Sequence, residues 1–225
     1  MKRTSDIVVV GSSNTDMIIS LERIPRPGET LLGGEFFSAA GGKGANQAVA
    51  AARAGGTVSL VARVGSDAMG QHSLAAFRRE GIDVANISRD PSVASGVALI
   101  FVDKHGENAI AVACGANGRL SPSDVEAAQS IVGGARVLLM QLETPFETVS
   151  AAARLGASSG VTVILNPAPA HSLPDELLGN VSILTPNESE AESITGITIT
   201  GIPAAERTGN RKRHHPDRRP QPRGL

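Results

Sequence analysis

Short apolar runs closed by glycine or small polar residues alternate along this chain with stretches whose apolar positions recur at helical spacing. Residues 6–11 contain four consecutive β-branched residues, Ile7 to Val10, ended by Gly-Ser-Ser-Asn, the pattern of a strand buried on both faces. Two shorter strands are predicted at 17–21 and 30–38, around the turn signal Pro25-Arg26-Pro27-Gly28. A helix is predicted over 42–54, where Ala45, Ala48, Val49 and Ala52 form one small-residue face suited to close packing on a sheet. The alternation continues with a strand at 58–64 and a helix at 69–80 closed by Gly81. A hairpin at 96–102 and 109–114 turns around Lys104-His105-Gly106. Ser121 as N-cap, with Asp124 at N3, predicts a helix to about residue 132. A strand at 136–141, a helix at 146–155, strands at 161–165 and 182–185, and a helix from Asn187 to Gly196 complete the pattern. Alternating helices and near-continuously apolar strands predict a parallel sheet covered on both faces. The pairs at 17–38 and 96–114 lack intervening helices and predict a separate antiparallel piece.

In such folds ligands bind beyond the carboxyl ends of the parallel strands. The polar residues there are Asn14 and Asp16, Glu143, Asn166 and Asn187. Together they read as a site; singly, each also reads as a turn or cap residue. Gly41-Gly42-Lys43-Gly44-Ala45-Asn46 joins a strand to a helix, and the N–H groups of a helix start favour oxygen acceptors or anions. Neither the Walker P-loop spacing nor the dinucleotide Gly-x-Gly-x-x-Gly spacing is met, and a plain glycine-rich turn is the competing reading. Asp16 and Glu143, as ionised carboxylates, would each accept hydrogen bonds from vicinal hydroxyls; beside Asn14 and Asn46 they point to a neutral polyol or sugar. Asn187 and Glu190 fit a capping box, or alternatively a phosphate contact and a hard oxygen ligand for Mg²⁺.

Composition narrows the classes. With 225 residues, 41% apolar and 19% charged, the chain is no charge-rich disordered polymer. No apolar run approaches the roughly 18 residues of a membrane span, and Ile7–Val10 is too short for a signal sequence. One cysteine, Cys114, fits a reducing compartment, so a cytoplasmic location is expected. His72, His105 and His171 lack metal-ligand spacing, no Gly-x-Ser-x-Gly nucleophile signature occurs, and aromatic residues at 2% disfavour stacking on single-stranded nucleic acid. The net charge of −1 hides an asymmetry: residues 1–206 carry a net −7, and residues 207–225 a net +6 with three prolines. That tail is expected to be disordered. Its arginines suggest salt-dependent affinity for nucleic acid, which the acidic body would oppose, so no specific nucleic acid is expected.

Several segments then stand out in order: Val-Gly-Ser-Ser-Asn-Thr-Asp-Met, Pro-Arg-Pro-Gly-Glu-Thr, Gly-Gly-Lys-Gly-Ala-Asn-Gln, Ser-Gly-Val-Ala-Leu-Ile-Phe-Val, Gly-Ala-Asn, Leu-Leu-Met-Gln-Leu-Glu, Leu-Asn-Pro-Ala-Pro-Ala and Thr-Pro-Asn-Glu-Ser-Glu. In these the chain resembles the ribokinase-like carbohydrate kinase family, from residue 10 to about 197. The resemblance implies an α/β fold, a Rossmann-like three-layer α/β/α sandwich with a small β lid (about 13–40 and 92–115), incomplete at its C-terminus. Two lids would clasp in a homodimer. It implies ATP-dependent phosphorylation of D-ribose to D-ribose 5-phosphate, with Mg²⁺ and activation by a monovalent cation such as K⁺. By match, Asn14, Thr15 and Asp16, the segment Gly42, Lys43, Gly44, Ala45 and Asn46, and Glu143 would hold the sugar; Asn187 would contact ATP phosphates and Glu190 would serve Mg²⁺, directly or through water.

The departure is as specific. The family's Gly-Ala-Gly-Asp segment, which supplies an anion hole and the aspartate base, occurs nowhere in these 225 residues, so no catalytic residue is assigned. The change to Arg/Pro/His-rich text from residue 207 has the look of a shifted reading frame, with the cation site lost beyond it. The alternative expectation is therefore a catalytically crippled fragment that keeps its sugar-binding residues.

Overall fold

The computed structural model describes residues 5–200; the tail at 207–225 lies outside the described residues. Six strands form one wholly parallel sheet: β1 (Ile7–Val10), β4 (Val58–Gly65), β5 (Ile87–Asp90), β8 (Val137–Met140), β9 (Thr162–Leu165) and β10 (Ile183–Leu184). Their spatial order is β10-β9-β8-β1-β4-β5. Strand β1 pairs with β4 on one side and β8 on the other, so the order of connection reverses at β1. In open α/β sheets the ligand crevice lies at such a reversal, here beyond the carboxyl ends of β1 and β8.

The continuous apolar run of β1 is divided by the pleat between two cores. Val8 and Val10 join Leu120, Val132, Val149 and Leu177, under helices α3 (Pro122–Ala127), α4 (Gln129–Gly134), α5 (Phe146–Ser158) and α6 (Asp175–Gly179). Val9 joins Ala45, Ala48, Leu74 and Phe77 on the opposite face, under α1 (Lys43–Arg53) and α2 (Ala68–Arg79). The result is the three-layer α/β/α sandwich, and the small alanine face of α1 is what lies on the sheet. Arg63 on β4 bridges Asp90 (3.2 Å) and Asp124 (2.9 Å), tying the β5 edge to α3.

A second sheet stands apart, ordered β3-β2-β6-β7 from β2 (Asn14–Ser20), β3 (Glu35–Gly41), β6 (Gly96–Val102) and β7 (Asn108–Ala113). It is mixed rather than antiparallel, because β2 and β6, the first strands of two ribbons leaving the main sheet in the same direction, pair in parallel. Residues 30–34, expected in a strand, are irregular, and the strand begins at Glu35. The helix expected from Ser121 to about 132 is two helices, broken at Ala128. Strand β5, helix α6 and a 3₁₀ turn at Gly115–Arg119 had no periodic signal to announce them. A final helix, α7 (Glu188–Thr195), ends at Gly196 in a left-handed conformation. Among the described residues no helix is long and apolar enough to cross a membrane.

Candidate active site

The crevice between β1 and β8 gathers residues far apart in sequence. Glu143, just past β8, accepts the Ser12 hydroxyl at 2.6 Å and the Lys43 backbone N–H at 2.8 Å, both on Oε2. Its Oε1 makes no hydrogen bond among the described residues and lies 4.0 Å from the Lys43 ammonium. Gly44 donates its N–H to Ser12 Oγ (3.2 Å), and Ala45 donates to the Ser12 carbonyl (2.8 Å). The start of α1 is thereby locked onto the β1–β2 connection. The expectation of free N–H groups at this helix start is corrected here: Glu143 and Ser12 already occupy those of Lys43, Gly44 and Ala45. What remains for a ligand is the second carboxylate oxygen of Glu143 and the side chains of Lys43 and Asn46, the latter exposed.

Asn14 and Asp16 lie on one face of β2, as the two-residue repeat of a strand requires. Gly41 pairs with Asn14, and a Cβ there would fall about 2.1 Å from the Asp16 carboxylate, so the close approach demands glycine. Gly42 adopts φ 89°, and a Cβ would press on the Asn14 backbone nitrogen at 2.8 Å. The Asp16 carboxylate makes no hydrogen bond among the described residues, while burial, and then the charge of Glu143, hold its pKa above the usual carboxylate value. Its register neighbours on the flanking strands, Ala39 and Ala98, are both apolar and offer it no side-chain donor. Thr15, grouped with its neighbours by sequence, alternates to the opposite face with Ala40 and Val97, and its side chain does not join the cluster.

Chemically this crevice offers unspent acceptors on Asp16 and Glu143 with donors from Asn14 and Lys43. A hydroxyl both donates and accepts, so a polyol satisfies such a mixture, whereas an anion would face two carboxylates.

The end of β10 is organised differently. Asn187 accepts the Glu190 N–H on its side chain (2.8 Å); Glu190 accepts the Asn187 backbone N–H (2.9 Å) and its Nδ2 (3.0 Å). This is the capping box, with Asn187 exposed and Glu190 buried. Asn166 donates to the Thr185 carbonyl (2.8 Å) and joins β9 to β10 instead of entering the crevice. Strand β10 lies two places from β8, about 10 Å at ordinary strand spacing, and no hydrogen bond links Asn187 or Glu190 to the crevice among the described residues. For Mg²⁺, Glu190 offers a single carboxylate with both oxygens already accepting hydrogen bonds, and no group of three acidic, histidine or cysteine residues capable of holding a metal occurs among the described residues. That fits a water-mediated contact to a phosphate-bound ion and not a protein cage. His72, His105, His171 and Cys114 are all exposed.

Sequence reasoning passed over Ser12 and Asn117. Asn117 is buried in the 3₁₀ turn after β7 and bonds to Ser13 and Asn14. Both residues sit inside noted segments, Val-Gly-Ser-Ser-Asn and Gly-Ala-Asn, but only tertiary contacts reveal what they do.

The profile of the pfkB family carbohydrate kinases matches residues 4–215. Ribokinase from Haemophilus influenzae is 46% identical over 199 residues, covering 88% of this chain and 64% of that protein. Deoxyribokinase from Salmonella typhi is 37% identical over 195 residues, covering 86% of this chain and 64% of its own length. The chain thus spans less than two thirds of these relatives. Among solved structures, Arabidopsis thaliana ribokinase complexed with ribose and ATP superposes with a TM-score of 0.84 at 30% identity, covering 93% of this chain and 69% of that one.

Proposed function

The chain belongs to the pfkB family of carbohydrate kinases, and on that premise we propose that it binds a pentose, ribose foremost, for ATP-dependent phosphorylation of D-ribose to D-ribose 5-phosphate. The observation that carries this reading is the crevice at the β1–β8 reversal. There Asp16 and Glu143 keep acceptor oxygens free while Asn14 and Lys43 bring donors. A similar protein is named a ribokinase, and a similar structure holds ribose and ATP. Another relative is named a deoxyribokinase, so 2-deoxyribose is the competing sugar.

Phosphoryl transfer depends on positioning and on charge stabilisation. In this reading Asp16 and Glu143 accept sugar hydroxyls and Asn14 donates to one of them, fixing the ring so that one hydroxyl is presented for transfer. The β2-β3-β6-β7 sheet covers the sugar and excludes water. ATP would supply the phosphoryl group, and Mg²⁺ when bound would offset its charge; Asn187 would contact the phosphates and Glu190 would hold a water of the metal. A monovalent cation such as K⁺ belongs to the same reading, with no described residue assigned to it. Apolar side chains uncovered on both faces of this sheet, Phe36 (66% exposed) and Leu99 on the Thr15 face and Phe37, Ile110 and Val112 on the Asp16 face, support the lid as the meeting region of a homodimer. Sedimentation of the chain and of Phe36→Ser tests that surface, a monomer in both overturning it.

A second reading is sugar binding without turnover. Calorimetric titration with ribose and 2-deoxyribose, beside a coupled ADP-release assay with ribose, Mg²⁺ and K⁺, separates the two. Binding with ADP release supports the kinase; binding alone supports the second reading; no heat at millimolar ribose overturns both.

A further inference from the structure

We propose that Asn117 is a positioning residue that sets the rotation of the Asn14 carboxamide, so that Asn14 meets the sugar as a hydrogen-bond donor. This rests on the sugar-binding reading above. The orientation follows from groups whose chemistry is unambiguous. The Ser13 backbone N–H can only donate, and it is received by Asn117 Oδ1 at 2.8 Å. The Ser13 carbonyl can only accept, and Asn117 Nδ2 donates to it at 3.1 Å. These two bonds fix which end of the Asn117 carboxamide is oxygen and which is nitrogen. The second proton of Asn117 Nδ2 then points at Asn14, 2.7 Å away, and the atom receiving it must be Oδ1. Asn14 Nδ2 is thereby turned away from Asn117, and it makes no hydrogen bond among the described residues. Asn14 Nδ2 is left as a donor beside the acceptors Asp16 and Glu143.

The surroundings are shaped for this latch. Asn117 is 2% exposed and Asn14 6%, so water does not compete freely for their bonds. Gly96, paired with Asn14, has no Cβ where one would sit 2.2 Å from both Asn117 Nδ2 and Asn14 Oδ1. The Ala116 N–H anchors the same turn to the Ala94 carbonyl at 2.8 Å. Asn117 therefore joins the roots of both ribbons of the second sheet, at Ser13–Asn14 and beside Gly96.

Asn117→Asp tests the proposal. Aspartate keeps an acceptor for Ser13 N–H but turns a second oxygen towards the Ser13 carbonyl and Asn14 Oδ1. The Asn14 carboxamide then rotates and offers the sugar an acceptor in place of a donor. Ribose affinity, measured by calorimetry on the whole chain, is expected to fall about tenfold, and that of Asn14→Ala by about the same factor. In the double variant the loss is expected to stay within about twofold of Asn14→Ala alone, because Asn117 acts through Asn14. Losses that multiply would overturn the proposal. An independent readout needs neither sugar nor variant: side-chain amide exchange by NMR, in which the Asn117 NH₂ protons are expected to exchange more slowly than those of Asn14. The reverse order would overturn the proposal. If the unmodified chain binds no ribose, the sugar-binding reading fails, and the amide exchange still decides whether Asn117 sets the Asn14 rotamer.

Discussion

The end of β1 and β8 and the end of β10 belong to one parallel sheet and carry similar residues, asparagines and glutamates, yet they are wired differently. At the first, Glu143 bonds to Ser12 and Lys43, which are 131 and 100 positions away, and Asn117 reaches Ser13 across 104. At the second, Asn187 and Glu190 bond to each other across three positions. A local cap satisfies the helix start and leaves little unspent. A long-range cluster costs chain entropy to assemble, and this one ends with acceptor oxygens still free and a carboxylate held against its preferred ionisation. On the proposed reading, that contrast in wiring, more than residue type, separates the sugar end from the β10 end.

The sharpest way to break the comparison is Glu143→Ala. It removes a proposed sugar acceptor and leaves the Ser12 hydroxyl and Lys43 N–H unmet in a part-buried place. Ribose affinity is expected to fall at least about 100-fold, with a stability loss of about 1–3 kcal/mol, as unmet donors usually cost. An unchanged melting temperature would show that the cluster is not the interlock described. Asp16→Asn comes next: ribose affinity is expected to drop about tenfold or more, while the melting temperature rises. The rise follows because the ionised Asp16 is opposed by burial and by Glu143. Opposite movement of binding and stability marks a residue kept for a ligand.

Much of the first end was legible in the sequence, and for a physical reason. The β-branched run of β1 and the small-residue face of α1 are local patterns, and the rule that ligands sit beyond parallel strands led from them to Asn14, Asp16 and Glu143. The same rule also nominated Asn166, whose amide proved to be a strand-to-strand tie. Periodicity could not show Thr15 turning to the other face, since that depends on where β2 begins. Nor could it show the α1 N–H groups being taken by Ser12 and Glu143, a contact set by the packing of α1 against the β1–β2 connection. Strand β5 and the 3₁₀ turn holding Asn117 are short and lack a periodic signal, so the turn that ties the two ribbons of the second sheet has no mark in the sequence.

At the β10 end, Asn187→Ala is expected to cost about 1 kcal/mol of stability, the usual worth of an N-cap. Ribose affinity should stay within about twofold, because Asn187 has no bond to the crevice among the described residues. A calorimetric ADP titration sharpens the contrast. Weakened ADP with unchanged ribose supports a phosphate role for Asn187, and weakened ribose would join two ends that the structure keeps separate.

The smallest expected effect is a pH dependence that differs between regions. Asp16, with its pKa above the ordinary 3.8 through burial and the Glu143 charge, takes up a proton before an ordinary carboxylate does as pH falls. A protonated Asp16 presents an O–H donor in place of one anionic acceptor and accepts more weakly, so ribose affinity is expected to decline on acidification from neutrality. The fold responds with the opposite sign, since a raised folded-state pKa means that protonation relieves the site and favours the native state. Asp90 on β5 sets the acid limit: bonds from the Ser92 N–H and hydroxyl, with Arg63, lower it to about 2. Its contribution is fully present above the ordinary 3.8 and is lost only as pH falls towards 2. Between neutrality and about pH 4, ribose affinity is therefore expected to weaken while thermal melts keep their midpoint or rise slightly. Asp16→Asn should flatten the affinity profile in that window, and a profile equally steep in the variant would move the titrating group away from Asp16.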